Sequence, residues 1–210
     1  MEEEIKQETE EKVEGFKVFD LYDVSDIKIT DPALKPYINL EPKLLVKSQG
    51  RHREKFGKTR VNILERVANR IAVPGHIGKK HKIMTNWSTG RYTGNMKIVL
   101  KALEIIKNKL NENPVQVLVK AIEMCTPRDE ITVIEHAGAR YPQAVDVSPL
   151  RRIDLAVRWI TQGAYGKAFG KKKKMSETLA NEIMLASQKN MESYAMSKKN
   201  EAEKQADSAR

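Results

Sequence analysis

The stretch QAVDVSPLRRIDLAVRWI, residues 143–160, runs from a strand pattern straight into a helix with an arginine-bearing outer face. Ser148 suits an N-cap and Pro149 a first helical position, where a proline sacrifices no backbone donor that the helix would use. At helical spacing Leu150, Ile153, Ala156, Val157 and Ile160 form one apolar stripe, with Arg151, Arg152 and Arg158 on the other side. Three guanidinium groups on one rigid helix call for a polyanion or a set of carboxylates.

Working outward from this helix, two β-branched runs precede it, ITVIEH (131–136) and QAVDV (143–147), around AGARYP. A glycine-containing connection of this length between such runs predicts a hairpin with Arg140 near its tip. Before the hairpin, Asn113 and Pro114 cap and start a helix over Val115, Leu118, Val119 and Ile122 that stops before Pro127. Earlier helices are expected at roughly 59–72 and 96–111. The first uses Val61, Leu64, Val67, Ala68 and Ile71, with Arg66 and Arg70 on its far face. After the arginine helix, expected to end near Gly163, AYGKAFGKKKK (164–174) reads as a basic loop. A further helix at roughly 176–189 follows, with Ser176 as its cap. The segment 191–210 has good helical propensity but a weak apolar stripe. The fold class expected is mainly α: a bundle of about five to six helices, with one protruding β-hairpin (about 131–147) between the third and fourth.

Three regions are expected along the chain. Residues 1–14 hold seven Glu against two Lys and read as a disordered acidic tail. Residues 15–46, with Pro32, Pro36 and Pro42, read as an irregular arm lying on something. Residues 47–210 form the helical domain.

Charge points to the partner. The chain carries 38 Lys and Arg against 28 Asp and Glu, a net charge of +10; without the tail the balance is 36 to 21, or +15. Such an excess favours nucleic acid or a membrane surface. No apolar run has the length of a membrane span, so nucleic acid is preferred and no membrane partner is expected. The single Cys125 excludes an intrachain disulfide and suggests a reducing compartment, hence a cytoplasmic protein. It reads as a small core residue.

The basic groups lie on several elements. Lys47, Arg51, Arg53, Lys55, Lys58 and Arg60 precede the first helix, and Lys79, Lys80, Lys82 and Arg91 lie in the long loop 75–95. Arg151 and Arg152 open the arginine helix, and Lys171, Lys172, Lys173 and Lys174 follow it. Spread of this kind suits folded RNA, which is read from many directions through shape and backbone, better than a single recognition helix. Trp87 and Tyr92 can stack on bases or anchor the loop, and Trp159 is expected to pack on a neighbouring helix.

Enzyme chemistry finds no support. His52, His76, His81 and His136 are not at ligand spacing with one another or with Cys125. Gly75, Gly78, Lys79 and Lys80 miss the phosphate-loop spacing. Asp154 reads as an ion-pair partner of Arg151 or Arg158 along its own helix. No catalytic residue, metal or cofactor is expected.

With these residues in view, the chain resembles the S-seven family of small-subunit ribosomal proteins, in its archaeal and eukaryotic branch. The motifs that carry the resemblance are ENPVQVLVKAIEMCTPRDE (112–130), QAVDVSPLRRIDLAVRWI (143–160) and SYAMSKKNE (193–201). The resemblance implies a helical domain with a protruding hairpin that binds the 3′ major domain of small-subunit rRNA and organises the subunit head. It implies a hairpin, carrying His136, Arg140 and Tyr141, directed towards exit-site tRNA and the mRNA path. Other head and platform ribosomal proteins are the implied neighbours. The family's rRNA contacts match Arg51, Arg53, Lys55 and Lys58, then Lys79, Lys80 and Lys82, then Arg151 and Arg152. The alternative is a free-standing architectural nucleic-acid-binding protein.

Overall fold

The computed structural model describes residues 17–74, 76–77, 82–83 and 90–210, without the side chains of 76, 77, 82, 83 and 136. The acidic tail 1–14 lies outside the described residues. Six α-helices are present among them: α1 (Ile63–Ala72), α2 (Tyr92–Leu110), α3 (Pro114–Cys125), α4 (Pro149–Ala168), α5 (Met175–Ser187) and α6 (Tyr194–Asp207). Two strands of two residues, β1 (His76–Ile77) and β2 (Lys82–Ile83), pair antiparallel after α1. The main hairpin, β3 (Asp129–His136) with β4 (Ala139–Asp146), stands between α3 and α4. The expected class, mainly helical with one hairpin between the third and fourth helices, is the one observed.

The core centres on α5, which packs against α2, α3 and α4. Leu179, Ala180 and Ile183 are buried on it, and so is Glu182 with no exposure at all. A helix surrounded on most sides needs small and apolar residues all round, which is why its stripe is indistinct. Polar groups on such a helix must be satisfied internally. Glu182 accepts from Ser193 Oγ at 2.7 Å, from the Ala195 amide at 3.2 Å and from Lys167 Nζ at 2.6 Å. It thereby ties α5 to α4 and to the start of α6.

Helix boundaries differ from expectation where a side chain resets them. The first helix begins at Ile63 rather than near 59, because Asn62 adopts a capping conformation and accepts from the Leu64 amide at 3.0 Å. Residues Gly57–Arg60 before it form a 3₁₀ turn. Arg66, expected on the far face of α1, is buried instead, and Arg70 is half-buried. The arginine helix runs on to Ala168, past the expected stop at Gly163. A Cβ at Gly163 would lie 2.7 Å from Tyr194 Cβ and 3.0 Å from Glu182 Cδ, so this glycine permits close helix packing and does not terminate α4. Ser148 holds the N-cap position of α4, but its side chain makes no capping bond. Ser176, expected as the cap of α5, lies buried inside that helix, and Lys174 takes the cap position.

Residues 17–46 contribute to the same core as the helices: Val18, Tyr22, Leu34, Ile38 and Val46 are buried in one cluster with them. Irregular backbone laid on a protein surface must find hydrogen-bond partners other than its own ladder. Here α3 supplies them. The Gln116 amide exchanges two bonds with the Lys28 backbone at 2.8 and 3.0 Å, and Glu123 Oε1 accepts from the Thr30 and Asp31 amides at 2.7 and 3.2 Å.

The hairpin turns through Ala137 and Gly138, both left-handed (φ 52° and 79°), as a two-residue connection between right-twisted strands requires. Arg140 pairs across the strands with Glu135, one position from the tip. Val133 and Tyr141 on this ribbon are 60 % and 59 % exposed. α6 packs against the base of the ribbon, where Glu203 accepts from the Arg128 amide at 3.1 Å and Arg210 meets Asp129 at 2.6 Å. Its few apolar contacts, Ala195, Met196 and Ala206, are thus supplemented by polar ties.

Candidate nucleic-acid interface

A groove of about 900 Å³ lies between α1 and the first half of α4, roofed by the arm at Pro36–Tyr37 and the 3₁₀ turn before α1. Among the described residues five cationic side chains line it, Lys58, Arg66, Arg70, Arg151 and Arg158, against one carboxylate, Asp154. Both oxygens of Asp154 are taken, Oδ2 by Lys58 Nζ at 2.7 Å and Oδ1 by Arg66 Nη2 at 2.8 Å. This overturns the expected pairing of Asp154 along its own helix. Its side chain projects across the groove, where cations from two other segments are nearer in space than those of α4.

The five cations are not equivalent. Arg66 is almost fully buried; besides Asp154 it donates to the Tyr37 carbonyl at 3.0 Å, so its charge is spent inside the protein. Arg151 forms a forked pair with Glu130, at 2.7 and 2.8 Å, yet stays 58 % exposed at the rim. That hydrogen bond, above all, raises its pKa from the usual arginine value. Arg158 is exposed and makes no ion pair among the described residues. Arg70 has two buried nitrogens, Nε and Nη2, without a partner. Its burial, and then the nearby Arg158 guanidinium, push its pKa down, with Asp154 opposing.

Of the residues singled out from sequence, Lys58 and Arg151 share this groove. The exposed Lys47, Arg51, Arg53, Lys55 and Arg60 lie on the segment leading into it. Lys47 sits over the Tyr92 ring at 5.7 Å, Lys55 over the Phe56 ring at 5.5 Å, and Arg60 is 3.9 Å from Glu54. The segment is held by Ser48, whose amide and hydroxyl both donate to the buried Glu65, at 2.8 and 2.6 Å. Arg152 faces elsewhere. Its side chain is 14 % exposed and donates to Asp31 at 3.0 Å and to the Pro127 carbonyl at 3.1 Å.

Lys171–Lys174 are exposed in the turn beyond the far end of α4, which at the rise of an α-helix lies about 25 Å from Arg151. They do not join the groove. Arg91 is exposed at the N-cap position of α2. Arg140 and Tyr141 are exposed on the ribbon. Lys79, Lys80, His81 and Trp87, and the side chains of His76, Lys82 and His136, lie outside the described residues. Tyr92 anchors: its hydroxyl donates to the Val46 carbonyl, and burial pushes its pKa to about 12. Trp159 is partly buried against the core.

Sequence reasoning put Arg158 on the arginine face of its helix without assigning it a contact, and did not assign Arg66, Arg70 or Phe56 to the site. The one-turn spacing of Arg66 and Arg70 was visible, but only packing shows that one is neutralised and the other is not. Among the described residues no group of three or more His, Cys, Asp or Glu is placed to hold a metal ion.

Comparison with known proteins gives the family. The model of the family described as Ribosomal protein S7p/S5e matches residues 35–210. The small ribosomal subunit protein uS7 of Nanoarchaeum equitans is 46 % identical over 195 residues, covering 92 % of this chain and 98 % of the relative. Those of Methanosphaera stadtmanae and Methanothermobacter thermautotrophicus are each 42 % identical, over 196 and 193 residues, with 93 % and 91 % of this chain covered and 99 % and 98 % of the relatives. Identity of this level across nearly the full length leaves one assignment: the chain belongs to the Ribosomal protein S7p/S5e family.

Proposed function

We propose that this protein is a structural, non-enzymatic constituent of the small ribosomal subunit in the cytoplasm, and that it binds rRNA of the 3′ major domain. In this reading it organises the subunit head, with the β3–β4 ribbon bordering the mRNA path and exit-site tRNA. Head and platform ribosomal proteins are its neighbours, and it needs no cofactor.

The observation that carries the reading is the convergence of five cations on one groove where the one carboxylate among the described lining residues, Asp154, is already saturated. Cationic surfaces release counterions when they neutralise phosphates, and the grip loosens steeply with salt. The contacts proposed are Lys58 and Arg151 at the groove, and Lys47, Arg51, Arg53, Lys55 and Arg60 on the segment before it. Lys79, Lys80, Lys82 and Arg91, from the stretch of chain between α1 and α2, are proposed as further contacts. Lys171–Lys174 are a separate patch, and Arg152 supports the surface from behind. Filter binding of the full chain to isolated 3′ major domain rRNA across a salt series tests this. Expected is tight binding with a steep negative slope of log affinity against log salt. Equal affinity for duplex DNA in competition would favour a free-standing architectural protein instead.

A further inference from the structure

The groove between α1 and α4 holds two features that its ion pairs leave unexplained. Among the described residues, Arg70 lines the groove and keeps Nε and Nη2 buried without a partner, while the one carboxylate on the lining, Asp154, is fully engaged by Lys58 and Arg66. A desolvated guanidinium that lacks an anion is costly, and Arg158 beside it makes the local field more positive still. The exposed Arg158 is the accessible member of this pair, so an anion supplied from outside meets it first and Arg70 behind it, and the fork of N–H donors suits a phosphate.

The second feature is Phe56. It lies on the same groove, is 66 % exposed, and has a left-handed backbone (φ 63°) that a bulky side chain rarely adopts. Strain of this kind persists only where the surroundings enforce it, and it recurs at ligand-binding positions. Here the next residue, Gly57, packs so closely that a Cβ would lie 2.8 Å from the His52 carbonyl oxygen, which fixes the turn. The result is an aromatic face held out at the rim, with Lys55 over its ring.

We propose that the groove seats an unpaired nucleotide of the bound RNA, with its backbone phosphate on Arg70 and Arg158 and its base stacked on Phe56. The proposal rests on the rRNA-binding reading and deepens it: this groove takes a splayed strand, whereas the cations Lys47 to Lys55 before it meet backbone alone. Aromatic stacking is indifferent to base identity, so the seat selects for single-strandedness and not for sequence.

The two halves leave different signatures in filter binding to 3′ major domain rRNA. Arg70→Gln removes one phosphate contact, so affinity falls and the salt slope becomes shallower by about one. The free variant melts at the wild-type temperature or above, because an unpaired desolvated charge has been removed. Phe56→Asn keeps a residue that tolerates the left-handed turn but removes the ring. Affinity then falls by roughly tenfold with the salt slope unchanged. If Arg70→Gln melts well below wild type, the guanidinium has a structural role; the exposed Arg158→Gln then decides by the same slope measurement. Wild-type affinity and slope in both arginine variants, or wild-type affinity in Phe56→Asn, overturns the seat while leaving the ribosomal reading intact. A wild-type chain that does not bind this RNA overturns the ribosomal reading itself.

Discussion

The Arg152 guanidinium donates to Asp31 at 3.0 Å, joining the second turn edge of α4 to an arm residue 121 positions earlier in the chain. Arg152 also holds the Pro127 carbonyl. The charge that sequence alone offers to RNA is thus largely committed to fastening the arm beside the hairpin base. Arg152→Met is expected to destabilise the free protein by about 2 kcal/mol or more, since a partly buried carboxylate and a carbonyl lose their donor. Urea unfolding measures this. The Asp31→Asn, Arg152→Met double variant should cost less than the sum of the singles.

Arg151 is the cleaner probe of the surface. Its pair with Glu130 is forked but solvent-exposed, so Arg151→Ala should cost the free fold less than about 1 kcal/mol. Binding to 3′ major domain rRNA should weaken, with a salt slope shallower by about one. An unchanged slope would remove Arg151 from the interface.

Glu182 bears on the bundle itself. Glu182→Ala leaves the buried Ser193 hydroxyl and the Ala195 amide without an acceptor, and is expected to cost about 2–4 kcal/mol. Glu182→Gln keeps one acceptor oxygen and should cost less. Gly163→Ala acts at the same junction, forcing α4 away from Tyr194. Limited proteolysis should release α6 first in each of these variants.

Burial pushes the Cys125 thiol up to about 12, from an ordinary value of 9.0. A raised folded-state value means that the folded protein holds its proton where the unfolded chain has lost it. The contribution is therefore complete below about pH 9 and declines as pH rises towards 12. Tyr92, also raised to about 12 by burial, acts in the same direction from its ordinary 10.0. Denaturant unfolding across this range should show falling stability, with a gentler fall in Cys125→Ala. At neutral pH the thiol should resist alkylation until the protein unfolds.

Deleting 137–141 joins His136 to Pro142. Because Val133 pairs with Pro142, the register 129–133 against 142–146 survives, with 134–136 as the new loop. The shortened protein should keep wild-type stability and rRNA affinity while exit-site tRNA occupancy changes in reconstituted subunits. Unaltered occupancy would argue against the proposed place of the ribbon.

The helical frame was legible because it depends on local chemistry. Asn113–Pro114 starts α3, β-branched runs around a glycine mark the hairpin, and apolar residues recur at helical spacing through α2 and α4; the expected connection AGARYP shrinks to Ala137–Gly138, because Ala139 to Pro142 pair in the ribbon. Gly163 was misread because a glycine permits a chain break and a close helix crossing equally well, and only the neighbour, Tyr194, tells them apart. Arg66, Arg70, Arg151, Arg152 and Arg158 look alike in sequence. Each one's role depends on whether a carboxylate from a distant segment reaches it.

Sequence by itself determined the helices, the ribbon and the cationic excess, since these follow from backbone preference, hydrophobic period and composition; its motifs at 112–130, 143–160 and 193–201 carried the resemblance to the family. Tertiary structure alone decided which cations remain available. Charge neutralisation is a matter of a few ångströms between segments remote along the chain: Asp154 with Lys58 and Arg66, Asp31 with Arg152, and, among the described residues, no hydrogen-bond partner for Nε and Nη2 of Arg70.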